Sequence, residues 1–320
     1  MRVSVVIPTY SRPELLRQAL LSVAAQSYHD WEAIVVDDGS DPQVTAQDIS
    51  QIVGDRFRLL HHSQSLGTAA AKNSGVAAAS GDLITLLDDD DLLEPFALQA
   101  IIDVFAAHPE IDCLFLNITP FGRFAAKASS NQVTALEKVI ANAELHRKQG
   151  LVFLGPALFS TLLQTTPIPM QRPVARPTTW KTIGKFSPGI MCPEPAWSAR
   201  AALLCKTALL STPVYRWRVN GQNHASRPEM QTAAADCILE DRVLLMKTMQ
   251  NGALGEHVDR HALRASVATL LLDQALDSLV QGRRREALRR LGCSLRYAIN
   301  WRSAKTAMRL LLPAPLAARQ

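Results

Sequence analysis

Leu83-Ile84-Thr85-Leu86-Leu87-Asp88-Asp89-Asp90-Asp91-Leu92 sets an apolar run directly against four consecutive carboxylates. The apolar part, Leu83 to Leu87, reads as a buried strand. A strand that stops in acid delivers its charges to the carboxyl edge of a sheet, where open α/β folds hold ligands. Four adjacent carboxylates repel one another, so a cleft that contains them needs a cation or hydrogen-bond donors. A hard divalent ion such as Mg²⁺ or Mn²⁺, itself holding phosphate oxygens, meets that need. Asp91 would also suit the N-cap of a helix opening at Leu92-Leu93-Glu94-Pro95. One Asp fills that role, and three are left over.

The flanking sequence supplies the sheet. Val3-Ser4-Val5-Val6-Ile7 is a β-branched run closed by Pro8, the pattern of a central strand. Thr9 to Glu14 then opens a helix with Pro13 in its first turn, and Leu15, Leu16, Ala19, Leu20, Val23 and Ala24 give it one apolar face. Trp31 to Val36 is a second buried strand, stopping at Asp37-Asp38-Gly39-Ser40. A helix over about Pro42 to Ile52, a strand Phe57 to His61 and an alanine-rich helix Thr68 to Ala79 lead to the acid run. A helix Pro95 to Ala107 and a strand Cys113 to Ile118 follow it. Strands alternating with helices at this spacing predict βαβ units and a mainly parallel sheet.

Beyond residue 120 the pattern is less regular. Ala135 to Gln149 is expected to be helical. Residues 165–178 contain Pro167, Pro169, Pro173 and Pro177 and read as an extended loop. A helix starting near Pro195 carries Trp197 and Ala201, and Val214 to Val219 alternates like an exposed strand. From about Met230 the chain reads as all-helical, with Leu263, Val267, Leu270, Leu271, Ala275 and Leu279 on one face.

With 320 residues, 48% hydrophobic and 20% charged, the chain has room for one large α/β domain and an appendage. No stretch approaches the ~20 apolar residues of a membrane span. A strand beginning at Val3 leaves no room for a signal peptide, and five scattered cysteines suit reduced cytosolic thiols. The net charge of +5 is uneven: residues 281–320 hold ten Lys/Arg and one acid, so the rest sums to −4. Arg283-Arg284-Arg285 and Arg289-Arg290, with Leu288, Leu291 and Leu295 between them, form a basic amphipathic helix. It suits an anionic membrane surface, or equally a helix packed on its own domain with a solvated basic face. Little aromatic interleaving argues against nucleic acid. A nucleotidyltransferase would want a Gly-rich basic loop near the N-terminus, which Pro8-Thr9-Tyr10-Ser11 does not supply.

Taken together, Val3–Tyr10, Asp37-Asp38-Gly39-Ser40, Gly67…Lys72-Asn73-Ser74-Gly75 and Asp88–Asp91 resemble family 2 glycosyltransferases of the GT-A fold. The resemblance is strong over residues 1–120 and weaker over 180–226. It implies an α/β fold with a GT-A type, mainly parallel nucleotide-binding sheet flanked by helices, followed by a C-terminal all-helical segment. The glycosyltransferase domain would cover 1–228 (donor half 1–120, acceptor half 121–228), and 229–320 would be a basic helical region. The implied reaction is inverting, metal-dependent transfer from a nucleotide-sugar, with UDP favoured, to a hydroxyl of a glycan, lipid-linked or protein acceptor. The cysteine usage suits a cytoplasmic location, and the basic C-terminal helices leave peripheral attachment to the inner face of the membrane open.

Site residues follow from the same resemblance. Pro8, Thr9, Tyr10 and Asp38 would line the base pocket, Tyr10 stacking on the base and Asp38 accepting from an imide N–H. Lys72 stands where the family usually has Arg, offering charge to the diphosphate without the bidentate fork. Asp88 would face ribose and metal, with Asp89 beside it on the donor. Asp90 would ligate Mn²⁺ or Mg²⁺; a register shifted to Asp89 and Asp91 stays open. Glu194 falls on the expected base, but Pro195 stands where the family's Asp is usual. A donor-binding, catalytically impaired homologue acting as an assembly partner is therefore the alternative. His224 or Arg218, in the closing segment, would contact phosphate.

Overall fold

The computed structural model describes residues 1–187, 193–220, 239, 242–243 and 260–298. Contacts divide the chain into two units, Met1–Met230 and Gln231–Gln320. In the first, β1 (Val3–Thr9), α1 (Pro13–Ala24), β2 (Trp31–Asp37), α2 (Ala46–Val53), β3 (Phe57–His61), α3 (Thr68–Ala78) and β4 (Leu83–Leu86) follow the predicted alternation. A two-residue β5 (Leu92–Leu93), α4 (Ala97–Ala107) and β6 (Cys113–Phe121) complete the donor half. Then come α5 (Ala125–Ala143), β7 (Glu144–Lys148), β8 (Leu151–Leu154), α6 (Ala157–Leu162), β9 (Pro173–Ala175), α7 (Pro177–Ile183), α8 (Glu194–Leu204) and β10 (Thr207–Arg218).

The strands form one sheet in the order β3-β2-β1-β4-β9-β6-β10-β8-β7, with β5 paired to β10. β1 pairs in parallel with β2 on one side and β4 on the other. The chain therefore moves outward through β2 and β3 and then returns to the far side of β1. That reversal opens a crevice at the carboxyl ends of β1 and β4, the place where such sheets bind ligands.

Alternation along β1 builds the two layers. Val3, Val5 and Ile7 pack with Leu20 of α1 and Leu98 and Ile101 of α4. Val6 faces the other way, onto Ala69 and Ala71 of α3. The small residues of α3 matter because the helix lies close: a Cβ on Gly75 would collide with Val6.

Several expectations are corrected. Pro8 does not close β1; it sits inside the strand, opposite Val36. Val6 bonds towards β4 through Leu87 N–H, so Pro8, two residues on, faces a neighbour that has already ended, and its missing N–H forfeits no ladder bond. The second helix starts at Ala46, not Pro42, behind a capping box between Thr45 and Asp48. Asp91 does not cap α4, because Leu92 and Leu93 first pair with Arg216 and Tyr215 of β10. The helix expected over 135–149 begins and ends earlier, since Glu144 to Lys148 pair with β8. Gln149 and Gly150 turn that hairpin with φ of 49° and 80°, both in the region a tight two-residue turn demands.

The proline-rich segment is ordered: a 3₁₀ turn at Ile168–Gln171 leads into β9, which runs antiparallel between β4 and β6. Val214 and Tyr215 are fully buried, because this part of β10 lies between β6 and the β5 segment.

In the second unit, α9 (Arg260–Val280) and α10 (Arg284–Tyr297) pack through Leu272, Ala275, Ala287 and Leu291. Ser294 Oγ donates to the Ala268 carbonyl at 2.7 Å. Of the predicted apolar face, Leu263, Val267, Leu271 and Ala275 are buried, while Leu270 and Leu279 are half-buried. Among the described residues no helix is long and apolar enough to cross a membrane.

Candidate active site

The crevice is stitched across its floor. Thr9 Oγ1, at the end of β1, donates to Asp89 Oδ2 at 2.8 Å. The next residues make a tight exit: Ser11 has φ 52°, a left-handed conformation that costs a non-glycine residue roughly 1 kcal/mol or more and recurs at functional sites. Ser11 N–H donates to Ser40 Oγ at 2.8 Å, tying the β1 exit to the β2 exit. Tyr10, between these anchors, is half exposed (49%), as a residue waiting for a flat partner would be.

At the end of β2, the two acids organise loops. Asp37 accepts from the backbone N–H of Ser40 and Val44, each at 3.0 Å, and faces His61 Nδ1 at 3.2 Å. Asp38 accepts from Leu66 N–H, Gly67 N–H and Ser65 Oγ and faces His62 Nδ1 at 2.6 Å. Burial works against charge on Asp38, but these donors outweigh it and lower its pKa. With four partners and 4% exposure, Asp38 shapes the β3–α3 loop, and an imide N–H would have to compete for it. Gly39 makes this possible: at φ 81°, a Cβ there would lie 2.7 Å from the Gln64 backbone.

His62 Nε2 also meets Ser74 Oγ at 2.9 Å, which puts Asp, His and Ser in hydrolase-like order. Ser74 lies inside α3, where backbone N–H groups bond along the helix and leave no oxyanion donor. The constellation is a scaffold for Asp38.

The acid run is compensated by the protein's own cations. Lys72 Nζ reaches Asp88 Oδ1 at 2.8 Å and also bonds Glu194. Arg172 reaches Asp88 Oδ2 and Asp91 Oδ2, both at 3.0 Å. Arg12 meets Asp89 at 3.1 Å and Asp90 at 3.4 Å. Arg218 donates Nε–H to the Asp90 carbonyl at 2.6 Å and its backbone N–H to Asp91 at 2.8 Å.

The four carboxylates consequently differ. Burial alone would raise the pKa of Asp88, but Lys72 and Arg172 hold it far below the usual range. Burial would likewise strip the proton from Lys72, yet Asp88 and Glu194 keep it firmly charged. For Asp89 burial prevails over Arg12, and the neighbouring carboxylates add to it, giving about 7. Asp91 moves the same way, again chiefly by burial. Asp90 is raised by burial and by the charge of Asp88.

Glu194 opens α8, only 5% exposed. That helix is seated by Trp197, fully buried against Trp180 and Phe186 and donating Nε1–H to the Gly184 carbonyl at 3.1 Å. Asn73 of α3 pins the same loop, exchanging two hydrogen bonds with the Phe186 backbone at 2.8 and 2.9 Å. Lys72, Asp88 and Glu194, 122 residues apart at the extremes, are thus brought into one cluster.

Thr9, Lys72, Asp88, Asp89, Asp90 and Glu194 come together, with Pro8 in the strand beneath and Tyr10 at the rim. His224 lies outside the described residues. Arg12 and Arg172 were missed: Arg12 stood in the β1 exit without a role, and Arg172 lay in a stretch read as loop, with no local signal.

Paired acids and basic partners thus meet at the switch point of an α/β sheet, the position where such sheets bind ligands. Residues 4–156 match the family model described as Glycosyl transferase family 2, and over that stretch the chain is similar to family 2 glycosyltransferases. Among curated proteins it is similar to the O-antigen biosynthesis protein RfbC of Myxococcus xanthus, 38% identical over 120 residues, 35% of this chain and 9% of that one. It is 34% identical to glycosyltransferase GlyG of Streptococcus pneumoniae over 31% of this chain and 33% of that one. A GalNAc(5)-diNAcBac-PP-undecaprenol beta-1,3-glucosyltransferase of Campylobacter jejuni is 38% identical over 32% of this chain and 33% of that protein. The matched segments thus span a third or less of these relatives' lengths.

Among solved structures, S. aureus TarS 1-349 in complex with UDP-GlcNAc gives a TM-score of 0.65 at 17% identity, covering 93% of this chain and 82% of that one. The mannosyltransferase PcManGT of Pyrobaculum calidifontis, with GDP-Man and Mn²⁺, gives 0.56 at 15% identity, covering 96% and 79%. Both share the fold.

Proposed function

We propose that this chain transfers a sugar, with inversion, from a nucleoside-diphosphate donor, UDP-linked by preference, to an acceptor hydroxyl. The observation that carries the reading is the Thr9–Asp89 hydrogen bond across the β1/β4 switch point, which gathers acids and cations from separate elements into one crevice. Tyr10 at the rim offers a ring for the base. In this reading Asp88 and Asp90, just past the end of β4 and beside β1, would meet the ribose and diphosphate.

The donor set suits a divalent ion. Asp90 is a hard oxygen donor whose side chain is 16% exposed and meets Arg12 only at 3.4 Å; Asp88, 26% exposed at its side chain, is the second. Mg²⁺-type ions are held by one or two carboxylates together with phosphate oxygens. Such an ion, when bound, offsets charge on the departing diphosphate. Arg12, whose guanidinium is partly exposed, adds a protein cation at the same edge. The acceptor hydroxyl attacks the anomeric carbon, the bond to the diphosphate oxygen breaks, and the hydroxyl proton passes to Glu194, which must first part from Lys72.

That last requirement supports a second reading. With Glu194 buried against Lys72 and Pro195 beside it, the domain binds donor as an assembly partner without turning it over. UDP titration with and without Mn²⁺, followed by donor turnover in wild type, Asp90→Asn and Glu194→Gln, separates the readings. Turnover abolished by Asp90→Asn and strongly reduced by Glu194→Gln fits the enzyme. Tight UDP binding without turnover fits the partner, and no UDP binding sinks both.

For the acceptor side, we place the protein at an anionic lipid surface. Leu288 and Leu295 of α10 are 43% and 37% exposed, two turns apart on one face, with Arg285 and Arg289 exposed nearby. Sedimentation with phosphatidylglycerol vesicles should capture wild type, and the Arg285→Glu/Arg289→Glu variant should bind at least about tenfold more weakly. Equal binding of both would remove this placement.

A further inference from the structure

Arg172 belongs to none of the motifs that announce the site, yet it touches more of the acid run than any of them. The antiparallel register of β9, with Val174 opposite Thr85, carries Arg172 alongside the end of β4. Its carbonyl accepts from Leu116 N–H at 3.0 Å, fixing the backbone to β6. The guanidinium is buried (6% exposed) and lies 4.9 Å from the centre of the Tyr215 ring. That tyrosine's hydroxyl accepts the backbone N–H of Asp88 at 3.2 Å, so one ring supports both the cation and the anion. Nη2 serves Asp88 and Asp91 together, while Nη1 donates to the Gln171 carbonyl at 3.2 Å.

The cost of this arrangement is visible: Nε–H is buried without a hydrogen-bond partner, which is rare for a buried donor. A buried arginine kept at that cost is explained if its charge is needed where it sits. Asp91, 1% exposed, has no recourse to water. Without Arg172, Asp88 would retain Lys72, already shared with Glu194, and Asp91 would lose its ionic partner.

We propose that Arg172 is a fixed internal cation of the site, a positioning residue that holds Asp88 and Asp91 in place without any metal and before any donor arrives. The acid run then folds on the protein's own charge, and a divalent ion is not what makes it tolerable. This concerns the empty site and stands apart from the donor reading, except that it orders the same Asp88.

The test is thermal melting of the full chain with EDTA, Mg²⁺ or Mn²⁺ and no nucleotide. Wild type should melt at the same temperature in all three. Arg172→Gln should melt on the order of 10 °C lower in EDTA and recover part of that loss in Mn²⁺. Arg172→Lys, which returns charge without the planar fork, should fall between the two. Should Arg172→Gln not fold at all, the double variant Arg172→Gln/Asp91→Asn, which also removes an orphaned carboxylate, should restore a cooperative transition. A wild type that loses stability in EDTA, an Arg172→Gln that melts like wild type, or a double variant no better than the single overturns the proposal. UDP binding is measured separately, so failure to bind nucleotide would sink the donor reading and leave these melting shifts unchanged.

Discussion

The acid run at the end of β4 and the arginine-rich α10 are the two most charged stretches of the chain, and they treat charge in opposite ways. At the acid run, Asp89 and Asp91 are buried and Asp88 and Asp90 half-buried, and each carboxylate is met by Lys72, Arg12, Arg172 or Arg218 from a distant part of the sequence. At the start of α10, Arg290 pairs with Glu286 one turn away and Arg283 pairs with Glu286 at 3.1 Å, both local in sequence. Buried charges interact strongly and punish the loss of a partner, whereas exposed ones are screened and nearly interchangeable. The first region is therefore specified residue by residue and the second by composition.

The largest expected break of this contrast is Lys72→Met. Removing the buried cation shared by Asp88 and Glu194 should destabilise the first unit by about 3–5 kcal/mol, measured by denaturant unfolding. A loss no greater than that of a surface lysine would mean the network is not the anchor it looks to be.

Next is chemistry. Asp90→Asn removes a carboxylate whose contact with Arg12 is long, so it should leave melting close to wild type while donor turnover falls roughly 10²-fold or more. Equal losses in fold and turnover would place Asp90 among the structural acids instead.

A smaller effect lies in pH. Asp89 has its pKa raised to about 7 by burial, so the folded state binds its proton more tightly than the unfolded chain, where an Asp titrates near ~3.9. Its contribution to stability is full below that value and is lost as pH rises towards 7. Asp89→Asn should flatten the decline in stability between these limits, followed by melting across pH. Asp88, held down by Lys72 and Arg172 after burial is overcome, acts in the opposite sense: its contribution is full above the unfolded value of ~3.9 and is lost as pH falls below it. On α10, Glu286→Gln should change the melting temperature little, since its pairs with Arg283 and Arg290 are local helix pairs of small individual worth; a clear drop would erase the contrast.

Much of the donor half was legible in the residues. β-branched runs, the Pro13 helix start and the alanine-rich α3 are local signals, and they place Thr9, Asp38 and Asp88 at strand ends before any coordinates exist. Boundaries near Pro8, Pro42 and Gln149 were misread because partners elsewhere decide them: β4 stopping short, the Thr45 capping box, and β8 pairing. The acid run was correctly recognised as needing positive charge. That Arg12, Arg172 and Arg218 supply part of that charge was not legible, because nothing within ten residues on either side of the run carries a cation.

By itself, then, the sequence determined the alternation of strands and helices, the acids at their carboxyl ends and the basic character of the last helix, all set by periodicity and composition. Only the tertiary structure decided that β9 brings Arg172 to Asp88 and Asp91, that Lys72 joins Asp88 to Glu194, and that Asp38 is committed to its own loop. Ion pairs in a buried cleft depend on distances between residues far apart in the chain, and sheet order, which no local pattern encodes, sets those distances.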